Sequence, residues 1–232
     1  MAAERPVALV TGASVGIGKE LARRFAAGGH DLVLVARRAD ELRAVAAELS
    51  AAHGVTAHVV PADLADPAAP QQLFADLAGR GITVDVLVNN AGFGVYGPLV
   101  DADPGKLLQM VQVNVVALTA LCRLFLPGMV ERRRGRVLNV ASIASFLPGP
   151  LLAGYYASKA YVRSLSEALA EETRGTGVTV TCLCPGPVRT EFAQAAGMAG
   201  AKLFEGPNTL DAGTVADAGY RATLRGDRVV IP

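Results

Sequence analysis

The residues best suited to chemistry lie in one stretch, Ser142 to Lys159. Tyr155 and Lys159 are four positions apart, which on a helix puts them on one face, a single turn from each other. Ser142 follows an apolar run, Val137-Leu138-Asn139-Val140-Ala141, that reads as a buried strand. Its hydroxyl therefore belongs at a strand's carboxyl end, the edge at which open α/β sheets bind ligands. A loop broken by Pro148-Gly149-Pro150 leads to a helix opening near Tyr155, and so brings a hydroxyl, a phenol and an ammonium together. A free phenol titrates near ~10, too high for an efficient proton acceptor at neutrality. An ammonium ~4 Å away, at an effective dielectric of ~20, favours the phenolate by roughly 4 kcal/mol, or about three pKa steps. The arrangement predicts that Tyr155 exchanges a proton with a carbonyl or alcohol oxygen while Ser142 hydrogen-bonds the same oxygen and stabilises charge there. Tyr156 is three positions from Lys159 and rotated off its line, so it is assigned to packing, as are Ser158 and Tyr161. Taken alone, the Tyr/Lys pair would also suit an amphipathic helix whose side chains merely snorkel, and the decision rests with the elements around it.

Seven short apolar, β-rich runs recur, separated by helical patterns: Val7–Thr11, Asp31–Ala36, Thr56–Pro61, Asp85–Asn89, Arg136–Ala141, Val178–Cys184 and Arg228–Ile231. Strands that lack polar alternation and alternate with helices imply a parallel sheet covered on both faces. The expected fold is α/β, one domain over residues 1–232, a doubly wound sheet of about seven strands. The 232 residues, 51% of them hydrophobic, can bury one large core. With 22 Lys and Arg against 21 acidic residues the net charge is +1, which predicts no nucleic-acid partner. No uninterrupted apolar run of about eighteen residues and no leader pattern are read from the sequence, so the expectation is a cytoplasmic protein with no membrane span. Cys182 and Cys184 alternate along a strand and face the same way, as packing thiols. The three histidines are scattered, and no metal site is expected.

The first strand runs into Thr11-Gly12-Ala13-Ser14-Val15-Gly16-Ile17-Gly18 and then a helical pattern. Glycines between a strand and a helix let backbone amides approach a pyrophosphate at the helix N-terminus. At the end of the second strand stand Ala36, Arg37 and Arg38. A carboxylate there would hold a ribose 2′-hydroxyl, whereas a guanidinium accommodates a 2′-phosphate. The two arginines thus predict NADP(H), the alternative being solvated residues that open the next helix.

Together these motifs resemble the short-chain dehydrogenases/reductases, over Val7 to about Thr190. The Thr11-to-Gly18 segment is similar to the family's cofactor turn and Asn89-Asn90-Ala91-Gly92 to its sheet-stabilising motif. Asn114, Ser142, Tyr155 and Lys159 resemble its catalytic tetrad, and Pro185-Gly186-Pro187-Val188-Arg189-Thr190 the segment that brackets the nicotinamide. The resemblance implies a Rossmann-type sheet and reversible hydride transfer at a carbonyl/alcohol carbon. It implies that Lys159 holds the nicotinamide ribose, that Asp63 and Leu64 receive the adenine, that Asn90, Ala91 and Gly92 lie beside the adenosine-side ribose, and that the Asn114 backbone carbonyl holds a water relaying protons from Lys159. Asp63 could equally begin the next helix. Val15 departs from relatives with a second basic residue there. A helix stripe of Leu165, Ala168 and Leu169 implies, by the same resemblance, a homodimer or homotetramer.

Residues 190–212, rich in Ala and Gly, read as a substrate lid. Phe192, Met198, Leu203 and Phe204, with Phe93, Phe146, Leu147, Leu151 and Leu152, would form an apolar pocket for a small carbonyl or alcohol substrate. The expectation is an NADPH-dependent carbonyl reductase. The alternative is an NADP(H)-binding sensor on the same fold.

Overall fold

In the computed structural model of the chain, residues 5–192, Gly197 and 209–232 are described. Seven strands form one parallel sheet: β1 (Val7–Thr11), β2 (Asp31–Ala36), β3 (Ala57–Pro61), β4 (Val86–Asn89), β5 (Gly135–Val140), β6 (Val178–Leu183) and β9 (Val229–Val230). Their spatial order is β3-β2-β1-β4-β5-β6-β9, so the chain reverses direction of growth between β1 and β4. That reversal opens the crevice in which this class of sheet binds ligands. The central strands are buried on both faces, which is why their sequences are continuous runs of Val, Leu and Ala without alternation.

Each face of the sheet carries its own core. On one side α1 (Gly16–Ala27), α2 (Ala39–His53) and α7 (Ala212–Arg225) cover Val10, Leu34 and Leu138. On the other, α3 (Ala69–Gly79), α5 (Leu118–Glu131) and α6 (Ala153–Glu172) cover Leu9, Val35 and Val137. Leu165 and Leu169 of the expected interface stripe pack against this second core, while Ala168 is exposed.

The stretch read as one long helix, 106–131, is built otherwise. Helix α4 (Pro104–Val111), with Asp103 accepting from the Lys106 amide at its N-cap, runs into a π-helical turn over Gln112–Ala117 before α5 begins. Such turns insert a residue into the helix and recur at functional sites; this one contains Asn114. Although no uninterrupted apolar run occurs in it, the helical stretch Pro104–Glu131 contains an 18-residue window of mean hydropathy 1.8 that is long and apolar enough to cross a membrane by length and composition. Half of its apolar window is buried within the domain, as a core helix requires. A further pair, β7 (Val188–Arg189) and β8 (Leu210–Asp211), joins in a two-stranded parallel ladder that sequence reading missed.

Candidate active site

The glycine turn between β1 and α1 is shaped by close approaches. Gly12 and Gly16 have φ of +65° and +57°, the left-handed region that glycine occupies without strain. Gly18 has ordinary backbone angles but no room: a Cβ there would lie 2.1 Å from the Gly12 carbonyl oxygen and 2.4 Å from Asn90 Nδ2. Asn90 in turn donates from Nδ2 to the Thr11 carbonyl at 2.9 Å, and Thr11 Oγ1 accepts from the Asn90 and Ala91 amides at 3.0 Å. The β1 and β4 loops are thus bonded to each other across the crevice. Gly18→Ala should overpack this junction, a cost of about 1–3 kcal/mol, and lower the unfolding temperature by roughly 3–10 °C in circular dichroism. An unchanged melt would show that the junction gives way freely.

A cleft of about 610 Å³ runs along the carboxyl edge of the sheet from this turn to Tyr155. It is lined by Gly12, Ser14, Val15, Gly16, Ile17 and Gly18 at the turn, and by Arg37, Arg38, Asp63 and Leu64 beyond β2 and β3. The opposite wall consists of Asn90, Ala91, Gly92, Ser142, Tyr155, Lys159, Pro185, Gly186, Val188 and Thr190. Its floor at Gly186 is open, since a Cβ there would meet nothing nearer than Ile143 Cδ1 at 3.9 Å. A glycine-floored cleft of this volume, with a helix N-terminus at one end and polar side chains along its walls, fits a nicotinamide dinucleotide.

At the catalytic end, Ser142 stands just past β5, as expected. Its Oγ accepts from the Ala144 amide at 3.1 Å and donates to the Pro185 carbonyl at 3.3 Å. Lys159 is buried; its ammonium donates to the Val140 carbonyl at 2.8 Å and lies 5.8 Å from the centre of the Tyr155 ring. Cys182 and Cys184, sulfurs 3.6 Å apart, back this site as buried packing residues. Burial pulls the Lys159 ammonium down to about 8, partly opposed by those two cysteines. Burial pushes the Tyr155 phenol up to about 12, against a lowering by the Ser142 hydroxyl and a further raise from Tyr156.

This reverses the sequence-based expectation of an acidified phenol. At ~6 Å and a dielectric of ~20 an ammonium is worth about 3 kcal/mol to a phenolate, roughly two pKa steps. That would bring a phenol at about 12 back near its ordinary value and no lower. Moreover, Lys159 donates one of its three N–H groups to the Val140 carbonyl, and no lowering of the Tyr155 phenol comes from it. The expectation counted the charge and omitted the desolvation.

Asn114 does not line the cleft. It is buried behind the β4 loop, with Oδ1 accepting from the Phe93 amide at 3.1 Å and Nδ2 donating to the Phe93 carbonyl and to Ser158 Oγ, both at 3.0 Å. Ser158 donates onward to the Tyr155 carbonyl at 2.7 Å. Ser158, read as packing, is therefore a bracket between Asn114 and the Tyr155 turn. Gly92 marks the crowding: a Cβ there would lie 3.0 Å from Asn114 Oδ1 and 3.4 Å from Lys159 Nζ.

At the other end the two arginines divide. Arg38 opens α2 and is paired with Glu41 at 2.9 Å and with Glu191 at 3.1 Å. Arg37 lines the cleft, exposed, with no ion pair among the described residues. Asp63 also lines it, while its Oδ1 caps the following turn by accepting from the Ala65 amide at 3.0 Å; it does not begin α3, which opens after Ala68.

The apolar wall differs from expectation. Phe93, Leu152 and Phe192 line the cleft, the Phe192 ring 5.2 Å from that of Tyr155. Phe146, Leu147 and Leu151 do not; they are exposed, Phe146 beneath the Arg163 guanidinium at 4.2 Å and Leu151 turned outward by a φ of +66°. Tyr156, assigned to packing, lines the cleft beside Tyr155, as do Gln109, Val113 and Ile143, which sequence reading passed over. Met198, Leu203 and Phe204 fall outside the described residues. Of the segment read as a lid, Thr190 to Phe192 lie on the cleft, and β7 and β8, on either side of it, pair with each other.

Comparison with known proteins agrees with this geometry. Residues 6–199 match the family model described as short chain dehydrogenase. A very-long-chain 3-oxoacyl-CoA reductase of Laccaria bicolor is 39% identical over 177 residues, 75% of this chain and 52% of that protein. The solved short-chain dehydrogenase from Sphingobium yanoikuyae in complex with NADPH superposes with a TM-score of 0.91 at 34% identity, covering 98% of this chain and 87% of its own. The bulky-bulky ketone specific alcohol dehydrogenase from Comamonas testosteroni superposes at 0.87 with 30% identity, covering 98% and 86%. The chain spans between 51% and 61% of the length of the curated relatives it matches.

Proposed function

Because this chain belongs to the short-chain dehydrogenase family, we propose that it is an NADPH-dependent reductase of ketones flanked by apolar groups, run in reverse as a secondary alcohol dehydrogenase. The observation that carries the reading is the convergence of Ser142, Tyr155 and a buried Lys159 at one end of a glycine-floored cleft. A bound nicotinamide supplies the hydride. Everything else falls to the chain's own side chains. Burial holds the Tyr155 phenol in its protonated form, able to donate to a carbonyl oxygen. Tyr155 protonates the carbonyl oxygen and Ser142 donates a second hydrogen bond to it. Lys159 holds ribose hydroxyls and supports reprotonation of Tyr155 through a water held by the Asn114 backbone carbonyl. Phe93, Leu152, Tyr156 and Phe192 exclude water and receive the apolar flanks. Residues 190–212 act as the lid. The named relatives act on a 3-oxoacyl thioester and on bulky ketones, both carbonyls with apolar neighbours, which supports that substrate class. The oligomeric partner would be a second copy of the chain, and the compartment the cytoplasm.

The test is NADPH consumption against a panel of 3-oxoacyl thioesters, bulky ketones and small aldehydes. Turnover on the first two classes is expected; tight NADPH binding with no turnover on any of them would favour a sensor. For the cofactor, Arg37, which has no ion pair among the described residues, is the residue we assign to the 2′-phosphate. A charge-assisted contact is worth about 1.5–3 kcal/mol. Arg37→Asp should therefore raise KM for NADPH by roughly 10- to 100-fold and turn the preference toward NADH. Unchanged NADPH kinetics would remove Arg37 from this role.

A further inference from the structure

The net charge of +1 conceals a local excess at the edge of the sheet opposite the cleft. There a recess of about 530 Å³ is lined by Arg133, Arg134, Arg136 and Arg225, by the glycines 135, 177 and 226, and by Thr179 and Leu224, with no carboxylate in its wall. Two of those cations are compensated from outside it, Arg134 by Asp85 at 3.3 Å and Arg225 by Asp227. The other two are not. Arg133 donates only to the neutral Gly175 carbonyl at 3.1 Å, and Arg136 makes no ion pair among the described residues. Cations at helix ends complement the helix dipole, which accounts for Arg133 and Arg134 after α5 and for Arg225 closing α7. It does not account for Arg136, which lies on β5.

Two further features point to a ligand. The Oγ1 of Thr179, which lines the recess, is shielded from solvent and has no hydrogen-bond partner among the described residues, although a buried hydroxyl without a partner costs about 1–3 kcal/mol. Arg133 also has a φ of +52°, at the turn that ends α5, where glycine is the residue of least cost. That turn packs closely on Gly177, where a Cβ would lie 2.1 Å from the Arg133 carbonyl oxygen. A side chain is kept at a position whose backbone disfavours one, and that side chain lines the recess with three other arginines.

We propose that this recess is a binding site for a compact, multiply charged phosphate anion, distinct from the dinucleotide cleft. Phosphate oxygens would engage Arg133 and Arg136 by charge-assisted, two-pronged hydrogen bonds and, once the Thr179 side chain rotates to expose it, accept from Thr179 Oγ1. The inference does not depend on the proposed catalytic activity.

The probe is tripolyphosphate, titrated by calorimetry with NADPH at saturation so that the cleft is filled. One site is expected, weakening steeply with salt, with affinity reduced at least about tenfold in Arg133→Glu/Arg136→Glu while NADPH affinity is unchanged. Arg133→Gln/Arg136→Gln serves if the glutamates prevent folding. No binding, or binding that survives both double variants, overturns the proposal. Vesicles carrying phosphoinositide headgroups form the second arm: binding to them without binding of tripolyphosphate would make the recess a membrane contact and would also overturn it.

Discussion

Tyr155→Phe should lower turnover by about 10²–10⁴-fold, the usual contribution of a positioned general acid, while cofactor affinity and folding are retained. Phenylalanine keeps the ring where it is, against Phe192 at 5.2 Å and Tyr156 at 6.2 Å. What disappears is the hydroxyl that shares a hydrogen bond with Ser142. The reaction then loses its proton donor, and Ser142 cannot substitute, because an aliphatic hydroxyl is far less acidic than a phenol and can hydrogen-bond the substrate oxygen without protonating it. The measurement pairs steady-state turnover with calorimetric NADPH binding. Turnover within a few-fold of the parent would remove Tyr155 from the chemistry; loss of both turnover and binding would mean that the hydroxyl holds the cofactor rather than supplying the proton.

The fold was legible because burial on both faces leaves its mark on each strand. Val7–Thr11 and Asp31–Ala36 read as strands with the bounds they have, since no polar residue interrupts them. Val188–Arg189 and Leu210–Asp211 were invisible, as two-residue strands have no periodicity to detect. In the site, spacing placed Ser142, Tyr155 and Lys159 together, but several side chains were misjudged, Tyr156 and Leu151 among them for reasons of geometry. Rotation about a helix axis separates neighbours along its flank, yet α6 meets the cleft near its N-terminal end, where adjacent residues both reach it. Tyr156 therefore lines the cleft despite standing off the line of Lys159. Leu151 adopts a left-handed backbone that no pattern of apolar residues announces, and its side chain turns to solvent. The π-helical turn at Asn114 is equally silent in sequence, and so is the choice of Phe93 and Ser158 as its partners.

The distance between charge and burial also governs Lys159, and there it gives opposite signs for stability and activity. Lys159→Met should abolish most turnover, by about 10²-fold or more, yet stabilise the cofactor-free protein at pH 7. The folded-state ammonium is drawn from 10.5 down to about 8 by burial, so below pH 8 both states are charged and the folded one carries the whole desolvation cost. At 1.36 kcal/mol per pKa step that cost is about 3 kcal/mol, reduced to about 2 when the lost hydrogen bond to the Val140 carbonyl is deducted. The variant should then melt roughly 4–8 °C higher at pH 7. The sign follows from proton counts: between about 8 and 10.5 the unfolded chain holds a proton that the folded one has released, so the parent gains stability as pH rises through that window. Melting curves of both proteins from pH 7 to 10.5 should therefore converge. If the variant melts lower at neutral pH, or if the gap stays constant as the solution is made alkaline, the ammonium is not held against its desolvation, and the account of how Lys159 is placed beneath Tyr155 must be given up.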